Sequence, residues 1–152
     1  MKTLLAFFLF TTFLTAQDIK PYRIGIIVTD MEVATTWYTA IFDVELKEEF
    51  AFPKWGMRVN LLQNDQLKFE LVSRNQFYTP QELVPNYDLR EKPINGFYKM
   101  TFEVVDIQHI YNKCKEKNVE IYFNLNTDEH LKIKSFSIKD PDGNVLQFVV
   151  EI

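Results

Sequence analysis

Apolar and polar positions along this chain keep switching between two rhythms, one of every second residue and one of every third or fourth. Ile26-Ile27-Val28 run into Thr29-Asp30, after which Val33, Trp37 and Ile41 recur at every fourth position with Ala34 and Tyr38 beside them. That recurrence predicts a strand leading into an amphipathic helix. Thr29, three residues before Glu32, fits a capping box at the helix start, and Asp43 suits the left-handed conformation at its end. The same succession returns later. Phe102-Glu103-Val104-Val105 run into Asp106, a helix cap, and Ile107, Ile110, Tyr111 and Cys114 form the second stripe, closed by Asn118.

Three strands are expected after each helix. In the first half they span Val44 to Phe50, Trp55 to Leu62 and Gln66 to Ser73, with a polar turn at Gln63-Asn64-Asp65. In the second half they span Val119 to Phe123, Ile133 to Lys139 and Asn144 to Val150, the last two joined by Asp140-Pro141-Asp142-Gly143, a strong turn signal. Period-two alternation places Met57, Val59 and Leu61 on one face and Arg58 and Asn60 on the other. It likewise separates Leu67, Phe69 and Leu71 from Lys68 and Glu70. The apolar faces are expected to meet the helices, and the polar faces to meet solvent or line a shared pocket.

The chain thus reads as a duplicated β-α-β-β-β unit of the α+β class, module one at about 20–74 and module two at about 96–152. The connection of about 75–95 holds Pro80, Pro85 and Pro93, with a short helical turn at Pro80 to Leu83. Its Phe77, Tyr78 and Tyr87 are expected to pack it onto the body.

The first residues are of a different kind. Lys2, an apolar run from Leu4 to Leu14, and then Thr15-Ala16-Gln17 form a secretory signal peptide pattern with cleavage expected after Ala16. The run is about half of the ~20 apolar residues a membrane span needs. Residues 1–16 are therefore assigned to a leader and 17–152 to one domain, secreted or periplasmic, with no stable membrane insertion after cleavage.

Charge narrows the chemistry. With 17 basic and 21 acidic residues the formal charge is −4, which excludes a general nucleic-acid binder. A single cysteine forbids an intramolecular disulfide, two histidines are few for an all-histidine metal centre, and four glycines leave no phosphate-cradling loop.

The duplication resembles the vicinal oxygen chelate superfamily, which includes glyoxalase I, the extradiol dioxygenases and the bleomycin-resistance proteins. The resemblance rests most on Asp140-Pro141-Asp142-Gly143-Asn144-Val145-Leu146-Gln147-Phe148, then on Arg23-Ile24-Gly25-Ile26, Trp37-Tyr38 and Phe102-Glu103-Val104. It implies two βαβββ modules pairing into a curved mixed sheet around a cleft, helices on the outer face, either within one chain or by exchange between two. It also admits a homodimer.

Where the family binds a divalent metal, the four ligand positions fall on Arg23, Glu70, Lys99 and Gln147, with Tyr98 a one-residue alternative to Lys99. Glu70 and Gln147 have lone pairs to offer a cation. A guanidinium has none, and an ammonium must first lose its proton. The expectation is therefore a cleft without metal or other cofactor. In it Arg23 and Lys99, extended by Arg58 and Lys68 and opposed by Glu70 and Glu103, favour a small anionic or aromatic ligand. Mutual pairing of these charges is the equal alternative. Two other functions stay open: a lyase or dioxygenase with an altered metal site, and a structural or interaction domain whose cleft has closed. No catalytic residue is assigned. His109 and His130 read as surface residues, Cys114 as a buried thiol, and Asp140 and Asp142 as turn residues. Phe50, Phe52 and Trp55 read equally as a cleft wall or as core.

Overall fold

Strands form here where β-branched and aromatic residues alternate between Pro, Gly, Asn and Asp breakers, and the two long helices start at aspartates. The computed structural model describes residues 21–91 and 93–152, so the predicted leader lies outside the described residues. Module one runs β1 (Ile24–Ile27), α1 (Met31–Phe42), β2 (Glu45–Phe52), β3 (Met57–Gln63) and β4 (Lys68–Arg74). A short α2 (Pro80–Leu83), capped by Thr79 and Glu82, sits in the connection. Module two runs β5 (Met100–Glu103), α3 (Ile107–Glu116), β6 (Ile121–Asp128), β7 (Ile133–Lys139) and β8 (Val145–Glu151). Each module contributes one mixed four-stranded sheet, ordered β1-β4-β3-β2 and β5-β8-β7-β6, with the first pair parallel and the others antiparallel. The expected α+β duplication is the fold.

Helix caps follow local chemistry. Asp106 accepts a hydrogen bond from the His109 amide, and Asp43 and Asn118 take positive φ beyond the helix ends. One expected cap differs. Asp30, and not Thr29, caps α1 by accepting from the Val33 amide, while the Thr29 amide donates across to Asp142 Oδ1 at 3.0 Å. The capping box yields because the other module offers Thr29 a carboxylate.

The core belongs to both modules. Phe42 at the end of α1 lies 5.0 Å from Phe69 of β4, 4.9 Å from Phe102 of β5 and 5.7 Å from Phe148 of β8, ring centre to ring centre. The modules are thus joined within one chain by a shared aromatic cluster, each ring contributing buried area and edge contacts. This contact turns α1. Ala34, Tyr38, Ile41 and Phe42 are buried and Trp37 packs partly against the core, so of the predicted Val33, Trp37 and Ile41 stripe only Val33 turns outward.

The faces of β3 are the reverse of the expectation. Leu62 pairs with Phe69 and Asn60 with Leu71 in the antiparallel register, and both look toward α1. Asn60 is buried there because it donates to Thr35 Oγ1 of α1 at 3.0 Å. Met57, Val59 and Leu61 therefore occupy the opposite face with Glu70 and Val72. Adjacent leucines at 61 and 62 make either alternation apolar, and the register with β4 decides between them.

β6 continues to Asp128, five residues beyond the expected end, and its pairing with β7 is irregular on both sides of Phe123. The connection does touch the body, and of the predicted aromatics Tyr87 is half-buried while Phe77 lies exposed. Tyr78 is exposed, and the firm contact is made by Arg90 on Tyr122 and Phe123.

Candidate functional site

Residues paired directly across a ladder share a sheet face, which permits the two modules to be compared position by position. Gly25 of β1 pairs with Glu70 of β4, and Thr101 of β5 pairs with Gln147 of β8. Arg23 stands two residues before Gly25 and Lys99 two before Thr101. Arg23 with Glu70 and Lys99 with Gln147 are therefore equivalent pairs on the faces turned away from the helices.

In module one, Arg23 Nη1 lies 3.6 Å from Glu70 Oε2, with one-fifth of the arginine side chain and two-fifths of the glutamate exposed. Arg23 Nε is buried without a hydrogen-bond partner. The exposed Tyr22 ring carries two cations, the Arg23 guanidinium at 5.2 Å and Lys68 Nζ at 4.7 Å. Such cation–π contacts hold the charges beside the sheet at modest energy, about 1 kcal/mol each.

In module two the corresponding face forms a cavity of about 260 Å³. Lys99 and Gln147 line it together with Ser135, Ser137, Asn124, Asn126, Tyr98 and Phe123. Gln147 is held by two hydrogen bonds: Oε1 accepts from Thr101 Oγ1 at 3.3 Å, and Nε2 donates to Ser135 Oγ at 3.2 Å. Lys99 Nζ lies 5.7 Å from the Tyr98 ring. The cavity offers one cation, the hydroxyl and amide groups of Ser135, Ser137, Asn124, Asn126 and Gln147, and the rings of Tyr98 and Phe123.

Of the predicted residues, the fold joins Arg23 to Glu70 and Lys99 to Gln147, but no hydrogen bond or ion pair links the two pairs, and the cavity is lined by module two alone. Arg58 is corrected. It lies on the helix-facing side of β3, where Arg58 Nη1 pairs with Glu32 Oε1 at 2.8 Å and holds that carboxyl below its ordinary range. Phe50, Phe52 and Trp55 stack along the β2 edge outside the buried core, with Trp55 60% exposed. Sequence reasoning missed Phe123, Ser135 and Ser137. The alternation in β7 marks the two serines as one face, but β6 carries no regular alternation to aim Phe123.

The four equivalent positions are ill suited to a divalent cation. Arg23 and Lys99 bring fixed positive charge, Glu70 is already paired, and Gln147 Oε1 already accepts from Thr101. Elsewhere among the described residues, no three of His, Cys, Asp and Glu gather into a metal-binding group. His109 and His130 lie on the surface, and burial pushes the Cys114 thiol up to about 11. No described helix is long and apolar enough to cross a membrane.

Comparison with known proteins agrees with the fold. The model of the Glyoxalase/Bleomycin resistance protein/Dioxygenase superfamily matches residues 20–148. No curated protein matches the sequence. Among solved structures, the protein SMU.1112c superposes with a TM-score of 0.72 at 17% identity, over 88% of this chain and 100% of that one. A glyoxalase family protein from Enterococcus faecalis gives 0.69 at 19% identity, over 88% and 98%. Glyoxalase I from Zea mays gives 0.65 at 18% identity, over 84% of this chain and 43% of that one. At these identities the likeness is one of fold.

Proposed function

For a chain that belongs to the Glyoxalase/Bleomycin resistance protein/Dioxygenase superfamily, we propose an exported, metal-free binding protein that holds a small anionic or aromatic molecule on the inner face of its sheets. The observation that carries the reading is the module-two cavity, in which Lys99 and the hydrogen-bonded Gln147 share one space with Tyr98 and Phe123. A lysine beside serines and an amide supplies a site for a carboxylate, and the two rings supply a face for an aromatic body. Arg23, with its unpartnered Nε, adds a second positive position in module one.

Benzoate titration by calorimetry tests the reading, with acetate as the control lacking a ring. Benzoate is expected to bind more tightly than acetate, and Lys99→Gln to weaken benzoate about tenfold through loss of a charge-assisted contact. Equal affinity in wild type and Lys99→Gln overturns it.

The second reading, a metal-dependent lyase or dioxygenase, draws on the equivalence of Glu70 and Gln147, which have oxygen atoms at matching positions. Elemental analysis after loading with zinc, nickel or manganese separates the two. Stoichiometric metal, with lyase or dioxygenase activity lost on Glu70→Ala, supports the enzyme and overturns the metal-free binding protein. A homodimer is part of the proposal, read by light scattering, and export is read by the N-terminal residue of the protein recovered outside the cytoplasm.

A further inference from the structure

The connection between the modules bears on the cavity through one side chain. Arg90 is presented by Asp88, whose carboxylate accepts from the Arg90 amide at 2.7 Å and the Glu91 amide at 3.0 Å. From that turn Arg90 reaches β6. Its Nε donates to Tyr122 Oη and its Nη2 to the Tyr122 carbonyl oxygen, each at 3.2 Å. Its guanidinium carbon stands 4.7 Å from the Tyr122 ring and 4.6 Å from the Phe123 ring, and those rings meet edge to face at 4.5 Å.

This contact falls where β6 most needs one. Pairing with β7 shifts register both before and after Phe123. Irregular pairing frees backbone carbonyls and re-aims side chains. Arg90 supplies a donor to the Tyr122 carbonyl and a planar cation over both rings. Tyr122 has a second cation near it, Lys139 Nζ at 4.9 Å, itself paired with Glu120. Phe123 lines the cavity and is 45% exposed. A ring so exposed has several rotamers open to it unless a neighbour selects one.

We propose that Arg90 is a positioning residue: acting through Phe123, it fixes the aromatic wall of the module-two cavity before any ligand arrives and so raises the cavity's affinity for an aromatic anion. The effect is preorganisation, since a wall already ordered loses less entropy on binding. The inference rests on the ligand reading of the cavity and adds to it a control exerted by the intermodule connection.

A double-mutant cycle with benzoate tests it. Arg90→Ala is expected to weaken benzoate about fivefold, the scale of one immobilised side chain. Phe123→Leu weakens it also, and Arg90→Ala then adds nothing in the Phe123→Leu background, because the arginine acts through that ring. A ligand-free arm places 4-fluorophenylalanine at position 123. Its fluorine resonance is expected to shift in Arg90→Ala and to stay shifted in Arg90→Lys, because an ammonium lacks the fork that reaches both Tyr122 oxygens. Additive losses in the cycle, or unchanged benzoate affinity with an unmoved fluorine signal, overturn the proposal while Lys99→Gln still reports on the cavity. Should wild type not bind benzoate, the ligand reading fails, and the fluorine signal alone decides whether Arg90 positions Phe123.

Discussion

Tyr38, in the middle of α1, donates a 2.7 Å hydrogen bond to Asp140 Oδ2 in the turn before β8. The buried Asp140 carboxylate also accepts from the Asp142 amide at 3.0 Å, the Asn144 amide at 2.7 Å and Asn144 Nδ2 at 2.8 Å. The Asp-Pro-Asp-Gly turn therefore shapes its own chain and at the same time bolts module two to the first helix. Asp142 adds the bond from Thr29.

Tyr38→Phe removes one donor from a buried carboxylate and is expected to cost about 2 kcal/mol, the scale of a hydrogen bond to a charged group. Urea unfolding measures it. The wild type has a pH signature as well. Burial first, then the Asp140 charge and hydrogen bond, push the Tyr38 phenol far above its ordinary 10.0. The folded state keeps this proton where the unfolded chain releases it, so stability is full below pH 10 and falls as pH rises beyond it. Tyr38→Phe is expected to flatten that alkaline fall.

How much was legible follows from how local each signal is. The Asp106 cap, the left-handed Asp43 and Asn118, the Asp-Pro-Asp-Gly turn and both helices depend on neighbours within a few residues, and the pattern announced them. The inward face of α1 followed except at Val33, because Val33–Trp37 and Ala34–Tyr38 share one period and the aromatic cluster of Phe69, Phe102 and Phe148 from distant strands favours the second. Arg58 was misplaced for a like reason, as the register of β3 with β4 sets its face. Arg23, Glu70, Lys99 and Gln147 reached matching register positions because the duplication itself carried them. Arg90 left no trace in the pattern beyond the Asp88 turn that presents it.

Lys113 of α3 serves the end of α1. Its Nζ donates to the Ile41 carbonyl at 3.1 Å and to the Asp43 carboxylate at 2.8 and 2.7 Å. A cation at a helix C-terminus satisfies carbonyls the helix leaves open and meets its negative end. Lys113→Met keeps the stem and removes the charge, with an expected loss of about 1 kcal/mol. Thermal unfolding checks it, and a midpoint equal to wild type denies the lysine this role.

Gly56 ends the short turn Pro53–Trp55 at φ 56°, and a Cβ there would come within 2.7 Å of the Asn75 side chain. Both the left-handed backbone and the contact oppose a side chain, so Gly56→Ala is expected to cost about 2 kcal/mol. Gly25 is the control: no atom lies within 4 Å of a Cβ built on it. Gly25→Ala should change stability by less than about 1 kcal/mol. Equal losses in the two variants, measured by denaturant unfolding, would show that space and φ do not govern these positions.

Cys114 lies on the buried face of α3 with no exposed surface. Burial raises its thiol from an ordinary 9.0 to about 11, and nearby Lys113 opposes this only in part. The reactive species is the thiolate, so at pH 8 the folded protein holds very little of it, and reagent cannot reach what there is. Labelling with a disulfide-exchange dye at pH 8 should proceed only at the rate of opening of the fold, and go to one thiol per chain at once in denaturant. Because opening limits the reaction, Tyr38→Phe should speed labelling in step with its loss of stability if the modules open together. Rapid labelling of the native wild type would place the sulfur at the surface and contradict the packing of α3 on β7 and β8.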